Sequence, residues 1–272
     1  MKIGIFAKTF GGTTPAKVLT EAAAAGFSSV QYNMACSGLS SLPEEISNEA
    51  AEAVAAASKN TGVTLSAISA TYNMAHPSGA VRKAGRRSFA VIAAKARAMG
   101  SSLLTVCTGS RDPNDQWRNH PHNVTSDAWG DMVQEFVHLI TIAEREDIYL
   151  GIEPELGNVV STPVKAAALI KEMQSKRLRI VFDAANLFEN ARAPDVRKLI
   201  EQGVDRLSGH IALVHAKDRD VKGAPCAPGK GVIDFEHYFK TLRAAGFTGD
   251  IIAHGFLAKE ASGVYQLLKS IA

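Results

Sequence analysis

Apolar positions along this chain fall into two rhythms that alternate from one end to the other. Short runs rich in β-branched residues, as in buried strands, are each followed by a longer stretch with apolar residues three and four apart, as in helices with one buried face. The first run covers residues 2–10, and Thr14 with Pro15 then supplies an N-cap and a first helical position for a helix that Gly26 stops. Runs at 27–33, 64–73 and 102–109 repeat the plan, with helices ending at Gly62 and Gly100. The second helix is expected to open after Pro43, where Glu44 and Glu45 suit the positive end of a helix dipole. The third puts Phe89, Ile92, Ala93, Ala96 and Met99 on one face. A fourth, capped by Thr125 or Ser126, carries the stripe Trp129, Met132, Val133, Phe136, Leu139, Ile140 and Ala143. Strand segments follow at 149–155, 178–186, 209–218 and 250–254, with helices starting near Thr162-Pro163 and Pro194 and others at 234–245 and 260–271.

Eight strand-then-helix units, with short helix-to-strand turns and longer strand-to-helix loops, predict a (β/α)8 TIM barrel forming one domain over residues 1–272. A doubly wound open sheet is the alternative. It would normally bring a Gly-rich nucleotide loop after the first strand, and the turn at residues 8–14 has neither G-x-G-x-x-G nor the Walker pattern. The longest irregular stretches, at 110–124 and 219–232, both follow strands, where a barrel places its functional loops.

The strand ends then become the places to look for chemistry, and three successive ones carry metal-ligand residue types. The run ending Ile152-Glu153-Pro154-Glu155 stops on acid, Val181-Phe182-Asp183 does so again, and Leu213-Val214-His215 ends in imidazole. His254 closes the next strand, so Glu153, Asp183, His215 and His254 should converge on one pocket. Two carboxylates with imidazole suit Mn²⁺, Mg²⁺ or Co²⁺, and Zn²⁺ is compatible. Period-two alternation puts Glu155 on the side of Glu153, as ligand, acid-base group or salt-bridge partner, and Lys217 on the side of His215, with Asp218 next to it.

Four further residues have both a binding and a bland reading. His76 is either a substrate contact or a loop cap beside Pro77; Asn186 either bonds a hydroxyl or caps a helix. Trp117 and Arg118 either form a lid over a polar ligand or pack against a neighbouring subunit. Gly229-Lys230-Gly231 invites a phosphate-loop reading, but Gly223 stands one residue too far upstream and Gly231 lies where Ser or Thr is needed, so a flexible loop at the pocket mouth is expected.

Composition narrows the classes. With 46% hydrophobic residues the chain can bury a large core, and a net charge of +3 spread among acids gives no nucleic-acid footprint. The basic run Arg82-Lys83 with Arg86-Arg87 reads as a solvated helix face. Cys36, Cys107 and Cys226 are odd in number and form no C-x-x-C, which points to a reducing compartment. No signal-peptide pattern or membrane-length apolar segment is present, and a cytoplasmic location is expected.

Taken together, Ile152-Glu153-Pro154-Glu155, Asp183-Ala184-Ala185-Asn186, Val214-His215-Ala216-Lys217-Asp218 and Gly229-Lys230-Gly231 followed by Val232-Ile233-Asp234 resemble the sugar phosphate isomerase/epimerase family, the xylose isomerase-like barrels that include keto-sugar 3-epimerases. The resemblance implies a single divalent ion, most often Mn²⁺, held by Glu153, Asp183, His215 and a fourth ligand on the eighth strand. There His254 stands where the family usually has Glu, and Asn186 stands where it usually has His. It further implies an isomerase or epimerase acting on a sugar-like small molecule, free or phosphorylated, through an enediolate. Glu153 or Glu155 would be the base, His254 a ligand or proton carrier, and Lys217 a support for oxyanion charge. A dehydratase using the same enolate and a catalytically lapsed sugar-binding barrel are the alternatives. Homodimers or homotetramers are expected on the same ground. Endonuclease IV-type enzymes share the barrel but use several zinc ions on further histidines, and Asn186 occupies the place of one of them.

Overall fold

Each strand is a short apolar run that stops where polar residues meet the barrel mouth, and each helix buries a single apolar stripe against the outside of the barrel. In the computed structural model, which describes residues 1–190 and 192–272, the parallel strands are β1 (Ile3–Phe6), β2 (Ser29–Tyr32), β3 (Thr64–Ser69), β4 (Leu103–Val106), β5 (Tyr149–Ile152), β6 (Leu178–Asp183) and β7 (Ile211–Ala216). A small antiparallel hairpin of β8 (Asp218–Arg219) and β9 (Pro225–Cys226) then precedes β10 (Asp250–Ala253). The order β1-β10-β7-β6-β5-β4-β3-β2 closes on itself, with Ile3 beside Ile251 and Gly4 beside Ser29. This is the expected (β/α)8 barrel.

Its helices are α1 (Pro15–Ala24), α2 (Asn48–Thr61), α3 (Gly79–Met99), α4 (Ser126–Arg145), α5 (Pro163–Met173), α6 (Ala193–Leu207), α7 (Phe235–Ala244) and α8 (Ala261–Ile271). The stripe on α4 packs inward through Met132, Phe136 and Leu139, all fully buried. Thr125 caps α4 and Thr162 caps α5, each hydroxyl accepting a first-turn N–H. The second helix starts later than its acidic pair suggested. Ser47, not the segment after Pro43, caps it, with Oγ accepting from Ala50 N at 3.1 Å. The strands are also shorter than their apolar runs: after Phe6 the backbone tightens into a turn at Ala7–Phe10, and after Ile152 the Pro154 nitrogen has no proton for a ladder.

Two apolar cores result. The larger lies between strands and helices, and the smaller fills the barrel itself with Ala67, Leu103, Val181, Leu213 and Ile252. The inner set determines where the chemistry lies. Side chains on one face of a strand recur every second residue, so the next inward positions are Ser69, Thr105, Asp183, His215 and His254. Gly151 also points inward, since a Cβ there would meet Val181 and Leu103, and two residues on comes Glu153. One pleat thus separates an apolar plug from a polar ring.

Candidate functional site

That ring floors a pocket of about 470 Å³ at the C-terminal end of the barrel, walled by Gln31, Glu153, Glu155, His215, Lys217 and His254 among others. Asp183 lies beneath it, its side chain wholly buried. His215 Nδ1 lies 3.2 Å from Glu153 Oε1 and 4.0 Å from Asp183 Oδ2. His254 Nε2 lies 3.3 Å from the same Asp183 oxygen, and Lys217 Nζ 3.2 Å from it. Asn186 links Glu153 to Lys217, donating from Nδ2 to Glu153 Oε1 at 3.1 Å and accepting from Lys217 Nζ at 2.9 Å.

Asp183 Oδ2 is ion-paired with Lys217, whereas His254 Nε2 meets that oxygen without hydrogen-bond geometry and is buried with no hydrogen-bond partner among the described residues. A buried imidazole nitrogen left in this state is costly unless something else occupies it. Asp183, His215 and His254 each offer a ligand atom, all within 4.8 Å of one another. One oxygen and two nitrogens in that space form a donor set that a divalent cation fits.

Charge in the pocket follows from burial set against neighbours. Burial opposes ionisation of Asp183, but Lys217, His254 and His215 outweigh it and hold the carboxyl far below the usual carboxylate range. Glu153 is likewise lowered, burial being overcome by His215. His215 and Lys217 are raised, because the surrounding carboxylates outweigh the burial that works against their charge. His254 goes the other way: burial first, then His215, favours its neutral ring. Glu155 stands apart, pushed up by burial and by Glu153 to about 7.

Residues 19–266 match the family described as xylose isomerase-like TIM barrel. The chain belongs to that family. Among curated relatives of this xylose isomerase-like barrel, the L-ribulose-5-phosphate 3-epimerase UlaE of Escherichia coli strain K12 is 29% identical over 138 residues, 50% of this chain and 45% of that protein. The chain therefore matches less than half the length of such relatives. Among solved structures, the apo 3-keto-D-glucoside 4-epimerase YcjR from E. coli aligns with a TM-score of 0.80 at 18% identity, covering 99% of both chains. D-Psicose 3-epimerase with D-tagatose from Clostridium cellulolyticum H10 aligns at 0.78 and 13%, covering 100% of this chain and 99% of that one. The IolI protein with a bound zinc atom aligns at 0.74 and 14%, covering 99% and 96%. At these identities the structural likeness is one of fold.

Not every residue singled out in the sequence reaches the pocket of this xylose isomerase-like barrel. His76 is held in its loop, Nδ1 accepting from Ser78 N at 3.0 Å and Nε2 lying 3.2 Å from the Pro113 carbonyl, and it does not line the cavity. Arg118 turns to Asp112 at 3.3 Å with its side chain 63% exposed, whereas Trp117 beside it lines the mouth. Asp218 is buried away from the pocket, its two oxygens accepting backbone N–H from Arg219, Gly229, Gly231 and Ile233. The Gly-Lys-Gly segment is thereby a wrap around a carboxylate. Gly231 is required there, since a Cβ would lie 2.1 Å from the Arg219 carbonyl oxygen.

Other pocket residues carried no sequence signal of their own. Gln31, Ser69, Thr105 and Cys107 sit within or just past ordinary strands, and Lys8 and Asn33 in the turns that follow. The one available clue was spacing: each of Ser69 and Thr105 stands two residues beyond an apolar residue of the inner plug. Cys107 Sγ lies 3.9 Å from Glu153 Oε2, and burial with that carboxylate holds the thiol protonated.

Proposed function

We propose that this chain is an isomerase or epimerase of sugar-like substrates that moves a proton at the carbon beside a carbonyl, with a divalent cation, Mn²⁺ by preference, held by Asp183, His215 and His254 and flanked by Glu153. The observation that carries the reading is the convergence of three ligand atoms at the foot of a polar pocket: Asp183 Oδ2, His254 Nε2, which is buried without a hydrogen bond among the described residues, and a ring nitrogen of His215. Such a cation supplies Lewis acidity toward a carbonyl and an adjacent hydroxyl. The protein's own groups do the remaining work. Glu155, with a pKa near 7 and its place on the pocket wall, is suited to take a carbon-bound proton and return it at neutral pH. Glu153 is fixed by the Asn186 amide and stays ionised beside His215, so it orients the cation side of the site. Lys217, pinned between Asp183 and Asn186, supplies positive charge against negative charge developing on a substrate oxygen.

His254 bears on which proton transfer is favoured. A neutral buried imidazole at this place suits ligation better than protonation of carbon. One poised carboxylate working from one side favours carbonyl transposition between neighbouring carbons, and the same one-sided chemistry extends to loss of water. Inversion at a single carbon would need a second proton carrier. The names of the relatives favour epimerisation, so product analysis separates the two.

The test is exchange in D₂O. Keto sugars such as D-tagatose, D-fructose and L-ribulose, incubated with the Mn²⁺-reconstituted protein, are expected to take up deuterium beside the carbonyl. Glu155→Gln should lower the exchange rate by about 10²- to 10⁴-fold. Undiminished exchange in that variant would remove Glu155 from the mechanism.

A further inference from the structure

The imidazole of His215 can face a cation through Nδ1 only if its remaining proton sits on Nε2, and something must keep it there. We propose that Gln31 is the positioning residue that holds the proton on His215 Nε2 and so directs the Nδ1 lone pair toward Asp183 and His254. The inference rests on reading those three residues as a cation site.

The hydrogen bonds of Gln31 fit this role. The residue is buried, 5% exposed, and both amide protons and the carbonyl oxygen have partners. Nε2 donates one proton to Ser69 Oγ at 3.0 Å and the other to Thr105 Oγ1 at 3.1 Å. Only Oε1 is left, and it lies 2.7 Å from His215 Nε2. A carbonyl oxygen can only accept, so the ring nitrogen opposite must donate. The other ring nitrogen faces Glu153 Oε1 at 3.2 Å and Asp183 Oδ2 at 4.0 Å, where the charged ring holds its second proton and where a cation would take that proton's place.

The backbone is arranged to make this contact. In the ladder between β2 and β3, Val30 pairs with Leu65 but Gln31 with Ala67, so Ser66 is an extra residue on β3. A bulge of this kind re-aims the residues that follow it. Ala67 enters the inner apolar plug, and Ser69, two residues on, reaches the Gln31 amide. Ser69, Gln31 and His215 thus form a relay that starts at a bulge and ends at a ligand nitrogen. Hydrogen-bond partners behind a ligating histidine commonly change metal affinity by about 10- to 100-fold.

Two readouts on purified protein test this. Long-range ¹H–¹⁵N spectra of ¹⁵N-histidine-labelled, metal-free protein, taken at a pH where the His215 ring is neutral, should show the Nε2–H tautomer. Gln31→Leu, which keeps the bulk and removes the acceptor, should shift that ring toward Nδ1–H. The same variant should weaken Zn²⁺ binding, measured by chelator competition, about 10- to 100-fold. Gln31→Glu, which keeps an acceptor against Nε2–H, should restore both; a merely structural role would not be rescued in this way. An Nδ1–H tautomer in the unaltered protein, or a Gln31→Leu spectrum unchanged from it, overturns the proposal. If the unaltered protein binds no Zn²⁺, the cation-site reading falls, while the tautomer still decides whether Gln31 sets the ring.

Discussion

At the scale of the residue, the site is a balance of buried charge that burial alone would forbid. Glu153, Asp183 and Lys217 keep their charges, and the ring of His215 is biased toward its charged form, because each faces an opposite charge within a few ångströms. Glu155 has no such pairing among the described residues, and its raised pKa gives the metal-free protein a characteristic pH response. Its carboxyl ionises near 4.5 when unfolded and about 7 when folded, so the folded state binds the extra proton between those values. Stability is therefore expected to fall as pH rises through this window, by about 1–3 kcal/mol from this group. Denaturant melts of metal-free protein at pH 5 and pH 8 check this: Glu155→Gln should remove that share of the fall, and an identical pH dependence in both proteins would contradict the assignment. The acids and histidines of the ring were legible in the sequence because each ends an apolar run, where an ionisable residue is conspicuous. Gln31 and Thr105 were not, since a polar residue within a strand looks like any solvent-facing position until the closed barrel shows which face is inside.

Elements and loops set how firmly the ring is held. The loop between β7 and α7 is anchored by a single carboxylate, Asp218, accepting four backbone N–H groups. Asp218→Asn would turn an amide N–H toward donors it cannot accept from, at a cost of about 2–4 kcal/mol. Gly231→Ala would drive a methyl into the Arg219 carbonyl and force the same loop open. Both variants should melt lower than the parent, and hydrogen exchange should rise over residues 218–233 first. Protection there equal to the parent's would show that the carboxylate does not anchor the loop. The strand-helix alternation was readable because 2-fold and 3.6-fold periodicities differ plainly. The β8–β9 hairpin and the bulge at Ser66 were not, because both depend on residues brought together only after the barrel closes. The late start of α2 belongs with them: an acidic pair marks a favourable helix end, but the cap hydroxyl of Ser47 decides it.

For the whole molecule, closure of the sheet converts the order of residues along the chain into a ring around one axis. Glu153, Asp183 and His215, separated by 30 residues (153 to 183) and 32 (183 to 215), become neighbours because each ends the next strand of the barrel. The fold was legible for the same reason, as eight repeats of one unit, whereas specificity lies in long loops whose shape no periodicity encodes. If the ring binds a cation, the folded state gains stability with cation concentration, about 2.7 kcal/mol at a hundredfold excess over Kd. A rise of roughly 5–10 °C in melting temperature on saturation with Mn²⁺ is expected, and none in Asp183→Asn. Elemental analysis tests the central claim most directly. Protein purified without an affinity tag, stripped with chelator, reconstituted with Mn²⁺ and freed of excess ion should hold about one equivalent, and Asp183→Asn should hold far less. A folded parent protein that retains no metal, or an Asp183→Asn variant that retains as much as the parent, would contradict a cation site built on Asp183, His215 and His254.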